Sequence, residues 1–202
     1  GIVLQDIWDE SWGLDNVSVA LSAPPTNSLY VKTSLASAGT LTLTSNAPIE
    51  RVSASGNRAV VLDGVGKVHL LDLGNSTNPM LLGTWEPLFL PSDAKVVGDL
   101  VYVASYEPDF LSTVEIVDFS NPAQPVLLGW YDTPGHAVKL AVQGTTVYVA
   151  DWEQGLLILD ASDPTWPHRV GGFDTLGHVS GVVVSGRNAY VSDGRWLTLL
   201  NV

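Results

Sequence analysis

The residue types best suited to chemistry in this chain recur at matched spacings. His136 and His178 each stand eight residues before a glycine, Gly144 and Gly186. Two imidazoles brought to one place by a repeat, with a third donor, would hold a metal ion. The matching positions before Gly56 and Gly98 are Pro48 and Leu90, which carry no ligating atom, so neither a metal site nor a cofactor is expected. Asp63, Asp151 and Asp193 form one carboxylate series, with Ser105 in the remaining copy, and Asp72, Asp118 and Asp160 form another. Clustered carboxylates can bind calcium or act as a general acid–base pair. Asp at a strand end also accepts hydrogen bonds from turn amides, and recurrence in each unit points to that architectural job. No EF-hand spacing, Gly-x-Ser-x-Gly elbow, His-Glu-x-x-His or phosphate-cradling glycine loop is present, so no catalytic residue is assigned.

Seven tryptophans give the other functional hint. Trp152, Trp166 and Trp196 fall in or beside expected turns, where exposed aromatics anchor protein or sugar ligands. They serve equally well as packing between layers. Asn16-Val17-Ser18 and Asn75-Ser76-Thr77 match the glycosylation sequon, a pattern that matters only in a glycosylating host.

Composition narrows the partners. Nine basic residues against 21 acidic give a net charge of −12. Phosphate recognition needs clustered cations, so nucleic acid is excluded as a partner, and an anionic membrane surface is unfavourable. No apolar run is long enough to cross a bilayer as a helix, so no membrane insertion is expected. With no cysteine there is no disulfide, zinc finger or thiol chemistry. An acidic, cysteine-free chain suits a secreted prokaryotic protein, although cytosolic proteins can share this composition.

The elements that must position these residues are set by a repeat of about 42 residues. Val101-Tyr102-Val103-Ala104, Val147-Tyr148-Val149-Ala150 and Ala189-Tyr190-Val191-Ser192 recur at one offset after Gly98, Gly144 and Gly186, with Ala59-Val60-Val61-Leu62 a weaker copy after Gly56. The glycines are spaced by 42, 46 and 42 residues, the longer interval reflecting an insertion over 106–113. A second phrase ends in Asp72, Asp118, Asp160 or Asn201, and a proline follows each of those Asp residues by seven positions. Short β-branched runs broken by Gly, Asn, Asp and Pro read as strands and turns, and no window has helical periodicity. The third unit is expected to hold strands at 138–142, 146–150, 156–160 and 169–173, and the fourth at 179–184, 189–192 and 197–201. Four antiparallel strands per unit make the blade of an all-β propeller, whose apolar faces must stack on neighbouring blades. His136, His178, Asp151 and Asp193 then become candidate ligand-binding residues at a channel mouth, and Trp152, Trp166 and Trp196 candidate aromatic contacts.

Val114-Glu115-Ile116-Val117-Asp118-Phe119-Ser120-Asn121-Pro122 and Leu157-Ile158-Leu159-Asp160-Ala161-Ser162-Asp163-Pro164 resemble the LVIVD repeat, as do Pro125-Val126-Leu127-Leu128-Gly129 and Asp132-Thr133-Pro134-Gly135. The resemblance runs from Pro48 to Val202. It departs in the first unit, where Gly74-Asn75-Ser76 replaces Ser-Asn-Pro, and in the fourth, where Asn201 replaces Asp. It implies a propeller scaffold in secreted or surface proteins of bacteria and archaea, and carries over no catalytic residue.

Residues 48–202 supply three full blades and a partial fourth. Residues 39–45 alternate with period two in the place of an outer strand, suited to completing the fourth blade. The expected organisation is the end of a preceding β-sandwich-like segment over 1–22, a Pro-rich linker over 23–28, strands that close or precede the propeller over 29–47, and the repeats over 48–202. Residues 9–19 resemble the closing strand of jelly-roll or lectin-like sandwiches. Without an initiating Met or a leader, the chain reads as part of a larger propeller protein. The expected role is a non-enzymatic extracellular or cell-surface interaction module with a protein or glycan partner, part of a larger multidomain protein or an assembly with other subunits. The alternatives are a ligand-binding or hydrolytic propeller working at the channel mouth, and a filament or complex subunit completed by a neighbour's strand.

Overall fold

The computed structural model describes residues 40–43, 47–107 and 111–202. These lie in the compact unit Gly39–Val202. The expected sandwich-like segment over 1–22, the linker over 23–28 and most of 29–47 lie outside the described residues. No helix occurs among the described residues, and none is long and apolar enough to cross a membrane.

Among the described residues, fifteen strands form four antiparallel sheets in chain order. Blade one comprises β1 (Ile49–Ser55), β2 (Arg58–Asp63), β3 (Val68–Asp72) and β4 (Met80–Trp85). Blade two comprises β5 (Leu90–Val97), β6 (Leu100–Tyr106), β7 (Ser112–Asp118) and β8 (Val126–Asp132). Blade three comprises β9 (Lys139–Gln143), β10 (Thr146–Ala150), β11 (Leu156–Asp160) and β12 (His168–Phe173). Blade four has β13 (Gly181–Ser185), β14 (Asn188–Ser192) and β15 (Leu197–Asn201). Gly56, Gly98, Gly144 and Gly186, the landmarks of the repeat, each turn the first hairpin of a blade with φ near +60°. That left-handed conformation costs a residue with a Cβ but not glycine.

The second and third strands of blades one and two are buried almost continuously. Burial on both faces requires continuous Val, Ala and Leu runs rather than alternation. One cluster packs Val60, Leu62, Val68 and Leu70 of blade one against Val101, Val103, Val117 and Phe119 of blade two. A second packs Tyr102 and Ile116 of blade two against Leu140, Val149 and Leu159 of blade three. A third packs Tyr148 and Leu156 of blade three against Val182 and Val191 of blade four. Each such Leu or Val, wholly withdrawn from water, contributes about 1.5–3 kcal/mol.

The outermost strands share one device. In blades one, two and three the pairing register slips between Leu70 and Leu71, Ile116 and Val117, and Ile158 and Leu159. The resulting bulge bends the outer strand just ahead of Gly83, Gly129 or Gly171. A Cβ on Gly83 would collide with the Pro122 carbonyl of blade two, and one on Gly129 would lie 2.6 Å from the Pro164 carbonyl of blade three. The glycine of one blade and the Asn-Pro or Asp-Pro turn of the next therefore interlock.

Blade four behaves differently. Burial in β15 alternates between exposed and half-buried, the pattern of a sheet covered on one face. Residues 40–43 form no strand and do not pair with β15. Leu41 and Leu43 instead rest on Ala59, Val61 and Leu71 of blade one, because that face offers them an apolar surface.

Candidate functional site

Two aspartate series that look alike in the sequence sit at opposite ends of the blades. Each second strand runs away from its glycine turn and the third strand returns, so residues closing strand two and strand three end on opposite rims. Asp72, Asp118 and Asp160 cap the turns after strand three, accepting from Gly74 N at 2.7 Å, Ser120 N at 2.7 Å and Ser162 N at 2.8 Å. The Ser162 amide and hydroxyl hold the Asp160 carboxyl below its ordinary range. The Thr165 hydroxyl and amide do the same for Asp163.

On the other rim the series diverges. Asp63 accepts from Val65 N at 3.2 Å and Lys67 N at 2.9 Å, and its second oxygen lies 3.0 Å from His69 Nε2. The other His69 nitrogen meets the Thr84 hydroxyl at 3.0 Å. His69, which stands outside the histidine spacing, is thus a buried partner of the aspartate series. Ser105 bonds Thr113 and the buried Glu115, which also accepts from Trp85 Nε1 at 3.1 Å and Leu88 N at 2.9 Å. Asp193 accepts from Trp196 N at 3.0 Å.

Asp151 is the exception. It accepts from Gly135 N at 3.0 Å rather than from its own turn, and its Oδ1 is buried without a hydrogen bond of ordinary geometry, as is the Thr133 hydroxyl. Burial raises its carboxyl to about 6, against the opposing influence of Thr133, Gly135 and His136. Gly135 and Gly177 lie so close to the Asp151 and Asp193 carbonyls that a Cβ could not be accommodated. This approach fixes the next residue, His136 or His178, at the rim.

The two histidines meet aromatic residues of the preceding blade. His178 stacks on Trp152 with ring centres 4.9 Å apart and planes at 13°. His136 lies edge-on to Tyr106 at 6.2 Å, with its Nδ1 3.6 Å from Glu153. Among the described residues no group of three or more His, Asp or Glu is placed to hold a metal ion. Tyr106 follows Ser105 as Trp152 follows Asp151, so alignment of the repeats could have singled it out. In the sequence, Tyr106 is obscured as a repeat position because it opens the insertion over 106–113.

Trp152 occupies an unusual backbone position. Its φ is +46°, the one positive value at a non-glycine among the described residues, whereas Gly194 holds the matching place in blade four at +85°. The Trp152 carbonyl accepts from Gly155 N and Val179 N, tying the turn to the entry of blade four. Trp152 lines two hollows. One, of about 510 Å³, is walled by Arg51 and Asp63 of blade one, Tyr106 of blade two, and His136 and Trp152 of blade three. The other, of about 630 Å³, is walled by Trp152, His178, Asp193, Arg195 and Trp196. His136, His178, Asp151, Asp193, Trp152 and Trp196 therefore share one rim. Trp166 does not: it lies in the turn after strand three, on the other rim, and is 74% exposed.

Two computationally designed proteins share this architecture. The crystal structure of Ika4 matches with a TM-score of 0.61 at 12% identity, covering 78% of this chain and 92% of that one. That of Ika8 matches with a TM-score of 0.59 at 11% identity, covering 76% of this chain and 45% of that one. At such identity the likeness concerns the fold alone. No curated protein matches the sequence. The LVIVD repeat profile matches residues 92–133, 134–175 and 176–200. The match begins in blade two, although blade one, with Gly74-Asn75-Ser76 in its turn, builds the same four-stranded sheet. With more than half of its length matched by that profile and its blades formed where the repeats fall, this chain belongs to the LVIVD repeat family.

Proposed function

We propose that this chain is a non-enzymatic interaction module, carried outside the cell or on its surface within a larger protein or assembly. The observation that carries this reading is the engagement of the recurrent aspartates with turn amides, Asp72, Asp118 and Asp160 on one rim and Asp63 and Asp193 on the other. Carboxylates committed to turns are architecture rather than reagents. The acidic charge and cysteine-free composition are compatible with the extracellular setting, which the resemblance to secreted and surface proteins suggests. Exposed Trp130, Trp166 and Trp196 supply contact surface for a protein or glycan. Binding to glycan and protein arrays, repeated with Trp166→Ala and Trp196→Ala, tests this. The expected result is a partner lost in one variant at unchanged melting temperature. Turnover of an ester or glycoside that disappears in Asp151→Asn would overturn the non-enzymatic reading.

A second reading places a small ligand at the rim around Trp152. A non-glycine residue at positive φ costs on the order of 1–3 kcal/mol, and such strain concentrates at binding sites. Blade four uses glycine at this place, so the tryptophan is kept in blade three against a local cost. Titration of indole fluorescence with oligosaccharides and aromatic acids, in the parent and Trp152→Gly, tests this reading. No quenching by any of them would remove it.

A further inference from the structure

The turn after the third strand is built the same way in blades one, two and three. Asp72, Asp118 and Asp160 close the strands, and three residues on stand Asn75, Asn121 and Asp163. The carbonyl of each accepts from the amide three places later, Asn78 N at 3.0 Å, Gln124 N at 2.9 Å and Trp166 N at 3.1 Å. The second place of such a turn favours proline, whose ring fixes the φ that it needs. Blades two and three have Pro122 and Pro164 there, whereas blade one has Ser76. Proline that fits its place stabilises by limiting the unfolded chain, and serine forgoes that gain.

The departure creates a pattern that the other two turns lack. N-linked glycosylation takes an Asn followed two places on by a Ser or Thr hydroxyl, with no proline between them. Asn75-Ser76-Thr77 meets each requirement. Asn121-Pro122-Ala123 has the amide but a proline and no hydroxyl, and Asp163-Pro164-Thr165 has the hydroxyl but a carboxylate and a proline. Thr77 donates to Asn75 Oδ1 from its amide at 3.1 Å and from its hydroxyl at 2.7 Å. Thr165 holds Asp163 Oδ1 in the same way, at 2.9 and 2.6 Å. Both donors go to the Asn75 oxygen, and Nδ2 makes no hydrogen bond to the described residues. Asn75, Ser76 and Thr77 are all exposed. A blade seated before blade one would leave Asn75 open. Asn121 and Asp163 stay exposed although the glycine of the preceding blade presses on Pro122 and on Pro164.

We propose that Asn75 is an attachment site for an N-linked glycan. The donor class is an oligosaccharide carried on a polyprenyl diphosphate. Asn75 Nδ2 attacks C1 of the first sugar, and the N–C1 bond forms as the C1–O bond to the diphosphate breaks. The amide gives up one proton to a base of the transferase, and the polyprenyl diphosphate leaves. The product carries a bulky, hydrated chain on the rim that holds Trp166, away from the hollows beside Trp152. The inference rests on the extracellular reading above, because an exported chain is the one that meets such a transferase.

Export is supplied in the test, so its outcome does not depend on where the parent protein resides. The full chain is secreted from a eukaryotic cell line behind a cleavable leader. Asn16→Gln silences the other such sequence, which lies outside the described residues. Peptide mass mapping, before and after an amidase that releases N-glycans and leaves Asp, is expected to locate a glycan at Asn75. Thr77→Ala is expected to lose it, and Thr77→Ser to retain part of it. Ser76→Pro is the sharper control. It is expected to lose the glycan at an unchanged or raised melting temperature, since blades two and three take proline at this place. A secreted chain unmodified at Asn75 would overturn the proposal and leave the extracellular reading standing. A glycan retained at Asn75 in Ser76→Pro would overturn it as well. The extracellular reading fails by a different result, recovery of the parent protein in the cytosol of its own cell.

Discussion

Asp151 shows how one residue of a repeat departs from its equivalents. Its neighbours in the series are satisfied by turn amides, while it keeps one buried oxygen without an ordinary partner and a carboxyl raised by burial to about 6. A raised carboxyl penalises the folded state when ionised. Between the unfolded value near 3.8 and about 6 the native state binds more protons than the unfolded one, so this residue's contribution worsens as pH rises through that window. Asp151→Asn keeps an acceptor for Gly135 N and removes the charge. Urea unfolding at pH 7 is expected to show the variant more stable by on the order of 1–2 kcal/mol, after discounting the shift for partial solvation. The difference from the parent should vanish below about pH 4. Glu115 presents the opposite case, because every contact it makes is filled. Glu115→Leu strands the Trp85 indole and the Leu88 amide, and an expected loss of about 1–3 kcal/mol is read from the same denaturation curves.

Among the elements, the outer strands carry the clearest contrast. Gly83 and Gly171 occupy the same place in successive repeats, after the same bulge. A methyl group at Gly83 meets the Pro122 backbone, while at Gly171 its nearest neighbour is the Ile158 side chain at an ordinary 3.6 Å. Gly83→Ala is expected to destabilise by at least about 1–3 kcal/mol through forced separation of two blades. Gly171→Ala is expected to stay within about 0.5 kcal/mol. Equal effects in thermal melts of the two variants would contradict the interlock.

For the whole molecule, the excess of acidic groups opposes compaction. The chain carries a net −12, and like charges repel one another in the folded state. Added salt screens that repulsion within a Debye length of about 10 Å at 0.1 M. The melting temperature is therefore expected to rise as sodium chloride goes from about 20 to 200 mM, followed by circular dichroism. A fall would show that ion pairs such as Arg58 with Asp99 outweigh the repulsion.

The sequence by itself determined the blades. Strands 146–150, 156–160 and 197–201 lie where the apolar phrases placed them, and the first-hairpin glycines lie at positive φ, because period, turn chemistry and β-branched content are local properties. It could not divide the aspartates between two rims, separate Trp166 from Trp152 and Trp196, or pair His69 with Asp63, since those relations depend on strand direction and cross-strand register. Nor could it decide where residues 40–43 rest. Their alternation fits any apolar sheet face in outer-strand position, and the tertiary structure set Leu41 and Leu43 against blade one because the face that buries them is there.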